Sequence, residues 1–538
     1  MKRYINILMV ALATMMTSCL TEDPRDQLYE EDIYNNANNI YINAVAVLYN
    51  YIGGSADSEG LQGTCRGIYD YNTLTTDEAM IPIRGGDWYD GGLWTNMYQH
   101  KWSPNDLPLY NTWKYLYKVV VLSNKSLHII DKYSHNLSEE QRVAYEAEVR
   151  ALRALFYYYI MDMYGRVPIV TSYEQPQDEV VQSERSEVFR FIVNELQEVA
   201  ELLPNERSNK MGNYYGRITT PVANFLLAKL ALNAEIYCDD NWTDGVPRNG
   251  KEIFFTVDGE KLNAWQTCVR YCDKLAEVGY RLEDDYSYNF SVHNENSNEN
   301  IFTIPLDKNL YAAQFWYLFR SRHYNHGGAL GGSSENGTSA NISTVLAYGY
   351  GTDEVDARFE KNFYAGIVEV DGKPVMMDNG QQLEYFPLEL KLNLTGSPYV
   401  KTAGARMAKY EVDRTSHSDG RQPDNDIVLF RYADALLMKS EAKVRNGEDG
   451  SLELNEVRGR VGMPYREATL ENILKERLLE LVWEGWRRQD MVRFGVYHKS
   501  YDQRVQLADE KNGYTTVFPI PQKSIDLNPK LKQNVGYK

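Results

Sequence analysis

Ser138-Glu139-Glu140 begins, and Gly165 ends, a stretch in which Leu152, Leu155, Phe156, Tyr159, Ile160 and Met163 recur three and four residues apart. That spacing puts six apolar side chains on one face of a helix. A serine followed by two acidic residues caps the N-terminus and favours its positive dipole end. A glycine is the residue that best ends such a helix. The same pattern recurs after Pro221, where Phe225, Leu226, Leu230, Ala234 and Tyr237 share a side. Further helices are expected at 30–52, 106–131, 185–203, 262–277, 427–446 and 469–490. Taken in order they pair as antiparallel hairpins with unequal connectors, the behaviour of degenerate tetratricopeptide units without a strict 34-residue period.

Between about 281 and 425 the stripes vanish. Gly, Asn, Ser and aromatic residues take over, as in Asn294-Glu295-Asn296-Ser297-Asn298-Glu299-Asn300 and in Gly327 to Gly337, with short candidate strands such as Ile301-Phe302-Thr303-Ile304. An irregular stretch this long inside a helical chain is expected to carry function. The expected architecture is mainly α: a tetratricopeptide-like helical-hairpin superhelix with a long loop-rich insertion carrying short strands. One compact body would then comprise a helical part over 30–280, the insertion over 281–425 and a second helical part over 426–538.

The chain of 538 residues carries 57 Lys and Arg against 75 Asp and Glu, a net charge of −18. Such a field repels nucleic acid, and no basic run offsets it. It also disfavours heavily sulfated or uronic-acid-rich ligands, unless Arg84, Arg320 and Arg322 make a local exception. The 42 tyrosines and 9 tryptophans suit wet recognition surfaces as well as cores. At the front, Lys2 and Arg3 precede an apolar run from Ile5 to Met16, and Ser18 precedes Cys19. This reads as a signal peptide over 1–18 whose cut exposes a cysteine for acylation. The acidic stretch 19–29 follows as a tether. No other segment has the apolar length of a membrane span, so the lipid on Cys19 would be the only membrane contact. Cys65, Cys238, Cys268 and Cys272 fit no zinc or disulfide framework and read as buried free thiols.

Two regions combine stacking rings with planar polar groups, the two devices that hold sugars. The first runs from Asn72-Thr73-Leu74-Thr75-Thr76-Asp77-Glu78 to Arg84-Gly85-Gly86-Asp87-Trp88-Tyr89-Asp90-Gly91-Gly92-Leu93-Trp94. Glycines flank its tryptophans, so no regular element hides them. The second is Gln314-Phe315-Trp316-Tyr317-Leu318-Phe319-Arg320, read as a strand with one ring turned inward, leading to His323, Tyr324 and His326. The candidate ligand residues are Asn72, Asp77, Arg84, Asp87, Trp88, Trp94, Trp316, Tyr317 and Tyr324. Trp102, Trp113, Trp483 and Trp486 read as core.

In the last fifth of the chain, Phe430-Arg431-Tyr432-Ala433-Asp434-Ala435-Leu436-Leu437-Met438 with Glu441-Ala442 is similar to the RYAE-LL-EA helix of the SusD/RagB family. The run Glu476 to Gly495 is similar to its ER-EL-EG-R-DL-R-G signature, and Phe518-Pro519-Ile520-Pro521, Asn528-Pro529 and Gln533 to Tyr537 to its ending. Arg150 to Ala154, Tyr164 to Pro168 and Gly216 to Ala223 resemble its earlier marks, so the likeness spans nearly the whole mature chain. It implies an outer-surface lipoprotein that captures a glycan and passes it to a SusC-like TonB-dependent outer-membrane transporter, without catalysis and without a cofactor. A bound calcium ion stays open. Two rival readings stand beside it. One is a secreted glycoside hydrolase, for which Asp77, Glu78, Asp87 and Asp90 are the candidate acids; the other is a SusD-like binder of peptides. On one continuous helix Glu480, Glu484, Arg487, Arg488 and Asp490 would pair with each other, as scaffold rather than as acid–base machinery.

Overall fold

The computed structural model describes residues 29–310, 315–416 and 423–537; the side chain of Trp316 lies outside that description, as do the expected signal peptide, Cys19 and most of the tether. Among the described residues, eight helices of ten residues or more carry the frame. They are α1 (Leu107–Lys132), α2 (Glu139–Tyr164), α3 (Arg185–Val199), α4 (Thr220–Leu232), α5 (Ala264–Glu277), α6 (Tyr432–Asn446), α7 (Ser451–Arg460) and α8 (Leu470–Leu481). Each packs against its sequence neighbour or the next but one, so that the row α1–α2–α3–α4–α5–α6 forms a helical superhelix.

The 138–165 stretch behaves as its sequence dictates. The Ser138 side chain accepts from the Gln141 N–H, Gln141 answers on the Ser138 N–H, and Gly165 ends the helix at φ +70°. All six residues of the stripe are buried in one continuous core. So much of this helix is enclosed that even Arg153 and Asp162 lie inside. The first helical segment, Glu30 to Gly53, includes a π-helical turn at Tyr41–Ala46.

Three expected helices are corrected. Residues 427–431 are a strand and α6 starts only at Tyr432. The run Ile-Val-Leu-Phe fits either element when buried on all sides, and pairing with Asn300–Ile304 decides for the strand. Likewise Glu260–Asn263 pairs with Phe254–Val257, so α5 begins at Ala264. The stretch 469–490 is two helices with a break at Val482–Trp486, where Trp483 (φ +68°) and Gly485 (φ +73°) take left-handed backbone. Buried side chains compensate the break. Glu78 accepts the Trp483 N–H at 2.9 Å, and Lys409 donates to the carbonyls of Glu480 and Val482 at 2.9 Å each. In the second aromatic region Trp316–Arg320 is a short helix, not a strand.

The antiparallel pair Asn300–Ile304 and Ile427–Arg431 has Ile427 opposite Ile304 and Arg431 opposite Asn300. It therefore ties the two ends of the irregular excursion to one place beside α4 and α6. Within that excursion Ser339–Ala340 pairs with Ala79–Met80, which joins the insertion to the first aromatic loop. No helix among the described residues is long and apolar enough to cross a membrane.

Candidate functional site

The first aromatic loop is built on a buried guanidinium. Arg84 donates to the carbonyls of Val400 (3.1 Å) and Ala403 (3.0 Å), to the Ser339 hydroxyl (2.8 Å) and to the Gly337 carbonyl. It binds three separate chain segments together, and burial pushes its pKa well down. Arg84 is 1 % exposed, so it holds the site together from beneath and offers nothing to a ligand. Ahead of it Gly85 (φ +71°) turns the chain, and Trp88 itself adopts φ +64°, an uncommon conformation for a bulky residue.

That turn sets the Trp88 ring. Its Nε1 donates to the Glu335 carbonyl at 3.1 Å, and its edge meets Trp94 at 6.0 Å between centroids. Gly337 lies against the indole: a Cβ there would sit 2.7 Å from Cζ2. The ring is held on these sides and remains partly exposed. Beside it Asp87 accepts from the Tyr324 hydroxyl (3.0 Å) and from Lys401 Nζ (2.9 Å), while that ammonium lies 5.3 Å from the Tyr324 ring centroid. The Lys401 hydrogen bond pulls the Asp87 carboxyl below its usual range. Burial, with Asp87 next, lifts the Tyr324 phenol to about 12. Tyr324 is 41 % and Tyr89 59 % exposed. Asp87, Trp88 and Tyr324, from the two regions singled out in the sequence, therefore meet on one surface, joined by Tyr89 and Lys401, which sequence reasoning missed. Lys401 stands among residues with no local periodicity, and long-range contacts such as the Arg84 hydrogen bonds and the Ile83–Asn393 bridge bring its loop here.

The other expected contacts are corrected. Asn72 is buried and accepts from Arg488 Nε at 2.9 Å. Asp77 is clamped by the Arg487 guanidinium through two hydrogen bonds of 2.6 and 2.7 Å. Trp94 is 1 % exposed, donates to Asp90 at 2.8 Å and lies beneath the Arg320 guanidinium. Leu93 starts the helix Leu93–Tyr98, and that helix turns Trp94 inward. Tyr317 is buried against Tyr69 at 4.3 Å. These four are packing and ion-pair residues. Of the second aromatic stretch only Tyr324 reaches the described surface.

Carboxylates suited to acid–base work are otherwise engaged. Burial raises Glu78 to about 8, and its oxygen is committed to the Trp483 amide. In the former signature helix Glu480 contacts Arg431 at 2.6 Å and Arg358 at 2.7 Å, and pairs with Arg460 as well; Glu484 contacts Arg431 at 2.7 Å and Lys409 at 2.5 Å. None of these groups opens onto the aromatic surface. His326 bonds the Tyr385 hydroxyl at 3.1 Å, and the described residues hold no cluster of His, Cys, Asp and Glu able to bind a metal ion.

A helical-repeat frame thus presents rings from the first aromatic loop and from the irregular insertion on one surface. The chain belongs to the SusD family: the model of that name matches residues 280–537, and a second, described as "Starch-binding associating with outer membrane", matches 32–232. It is 25 % identical to the starch-binding protein SusD of Bacteroides thetaiotaomicron, over 90 % of this chain and 89 % of that one. It is 24 % identical to the SusD-like protein P25 of Formosa agariphila, over 96 % of each. Among solved structures, surface glycan-binding protein A of Bacteroides thetaiotaomicron, in complex with laminarihexaose, superposes with a TM-score of 0.69 at 20 % identity, covering 92 % of this chain and 99 % of that one.

Proposed function

We propose that this protein is a cell-surface glycan-binding lipoprotein, which captures an oligo- or polysaccharide and delivers it to a SusC-like TonB-dependent transporter without cleaving it. The observation that carries the reading is the surface on which Trp88 and Tyr324 flank an oriented Asp87 carboxylate, with the exposed Tyr89 next in the chain. The rings offer apolar faces to a pyranose at little entropic cost, and the carboxylate and ammonium accept from and donate to its hydroxyls. Relatives named for starch and laminarin binding support the same chemistry here. The acids that a hydrolase would need are engaged in amide, indole and ion-pair contacts. Acylation of Cys19 would anchor the protein at the outer membrane, facing outward, where a stiff helical body can close over the mouth of a transporter. Moderate affinity suits that step, because cargo must leave again.

The test uses protein purified without residues 1–19, titrated with starch, laminarin and other glycans while tryptophan emission is followed and products are separated by chromatography. Binding without product is expected. Trp88→Ala should weaken binding by about tenfold, ~1.4 kcal/mol, with thermal unfolding nearly unchanged. Released oligosaccharide would refute the reading, as would binding indifferent to Trp88.

A further inference from the structure

A second concave site lies in the helical frame, on elements that the aromatic surface does not use. It is a groove of about 620 Å³ between the C-terminal end of α3, α4, the Phe254–Val257 strand and α5, a size typical of ligand sites. One wall is Asn224 of α4. It is 5 % exposed, lines the groove and has no side-chain hydrogen bond among the described residues. A buried amide with both its donor and its acceptor uncommitted is expensive unless something outside the protein meets it.

The facing wall is held in shape. Gln197 Nε2 donates to the Thr256 carbonyl at 3.0 Å and to the Tyr271 hydroxyl at 3.1 Å. This leaves the Gln197 amide oxygen and the Tyr271 proton for a ligand. The Thr220 hydroxyl bonds the carbonyls of Ala200 and Leu203, fixing the floor. At the rim Asp258 is neutralised by Lys274 at 2.7 Å and Arg270 at 3.2 Å, whereas the exposed Glu201 and Glu277 have no ion pair among the described residues.

Charge and hydrogen-bond character narrow the ligand. Two uncompensated carboxylates at the rim oppose an anion. An ammonium group could use the carboxylates and the amide oxygens, yet it accepts nothing and would leave the Asn224 NH2 unmet. A hydroxyl both donates and accepts, and so matches Asn224, Gln197, Tyr271 and the rim acids together. We propose that this groove is a second binding site, for a neutral saccharide unit, separate from the aromatic surface and independent of it. A long glycan, or a branch of one, held at both places would gain from the raised effective concentration of its second end.

The experiment measures saturation-transfer NMR with maltotriose, laminaritriose and mannotriose on wild type, Trp88→Ala and Trp88→Ala/Asn224→Leu. With the aromatic surface disabled, at least one trisaccharide should still receive transfer, and Asn224→Leu should weaken it about tenfold. Tyr271→Phe removes only a hydroxyl and should weaken it about threefold, which keeps the test valid if the Leu variant fails to fold. Loss of all transfer in Trp88→Ala would overturn the second site while leaving the first in place. Transfer unchanged by Asn224→Leu and Tyr271→Phe would overturn it too. Displacement of the trisaccharide by millimolar spermidine, but not by glycerol, would overturn the saccharide assignment in favour of an amine. No transfer to wild type would sink both this site and the glycan reading of the protein.

Discussion

The signature region from Arg431 to Arg493 and the surface around Trp88 contain the same ingredients, tryptophans beside charged groups, and use them in opposite ways. In the signature region Trp483 and Trp486 are sealed in the core, and each buried acid meets at least one arginine or lysine. Around Trp88 the charged pair Lys401–Asp87 is nearly half exposed on both sides. A buried network is costly to break because a remaining partner is stranded without water. An exposed pair contributes little to stability and can exchange its partner for a ligand. The difference separates a frame from a recognition surface, although composition alone makes them look alike.

The largest test of that contrast is Glu480→Ala. It takes one carboxylate away from each of Arg431, Arg358 and Arg460 and leaves their buried cluster one negative charge short, so unfolding free energy should fall by roughly 3–5 kcal/mol in urea melts. A loss below 1 kcal/mol would show the network to be slack. Acid should act on buried pairs in that region and just beyond it. In Glu441 burial opposes ionisation, but Arg493 and Arg445 outweigh it and hold the carboxyl at about 2; in Glu510 burial is likewise outweighed, by His100 and Arg504, to about 2. Because these folded values lie below the ordinary 4.5, the stabilisation is present above pH 4.5 and drains as pH falls toward 2. Circular-dichroism melts from pH 6 to 2.5 should therefore show a steady fall in Tm, whereas a flat profile would contradict the pairing.

Smaller effects should appear at the surface. Gly337→Ala adds a methyl that strikes the Trp88 indole. It should shift tryptophan emission and weaken glycan binding about threefold at ~1 kcal/mol of strain. Adding Trp88→Phe, a smaller ring, should restore the stability lost to the clash. If Gly337→Ala behaves as wild type, the ring is not seated against that backbone. Least of all, Lys401→Met should change Tm by no more than the ~0.2–1 kcal/mol of an exposed pair allows, while glycan affinity changes by a few-fold. A drop of several kcal/mol would move this pair from the surface class into the frame.

Much of the frame was legible in the sequence because helical periodicity is local. Ser138, the stripe from Leu152 to Met163 and Gly165 each act within one helix, and all three did as their spacing dictates. The errors cluster where two periodicities coincide. The 427–431 run is apolar all round, so only its partner at 300–304 reveals a strand. At 482–486 a Trp with positive φ interrupts a helix whose pattern runs on, and the compensating groups Glu78 and Lys409 lie far away in the chain. The site was half legible. Glycines around Trp88 marked an exposed turn, whereas the same cue at Trp94 failed because the short helix after Gly92 rotates that ring toward Arg320.

By itself the sequence determined the helical frame, the loop-rich interruption and the family, since each rests on neighbours in the chain or on motifs in order. Only the tertiary structure decided which rings face water and which charges have partners. Those outcomes depend on contacts such as Arg84 with Val400 and Ala403, or Asp87 with Tyr324 and Lys401, between segments hundreds of residues apart. Burial is a property of such meetings, and no residue carries it alone.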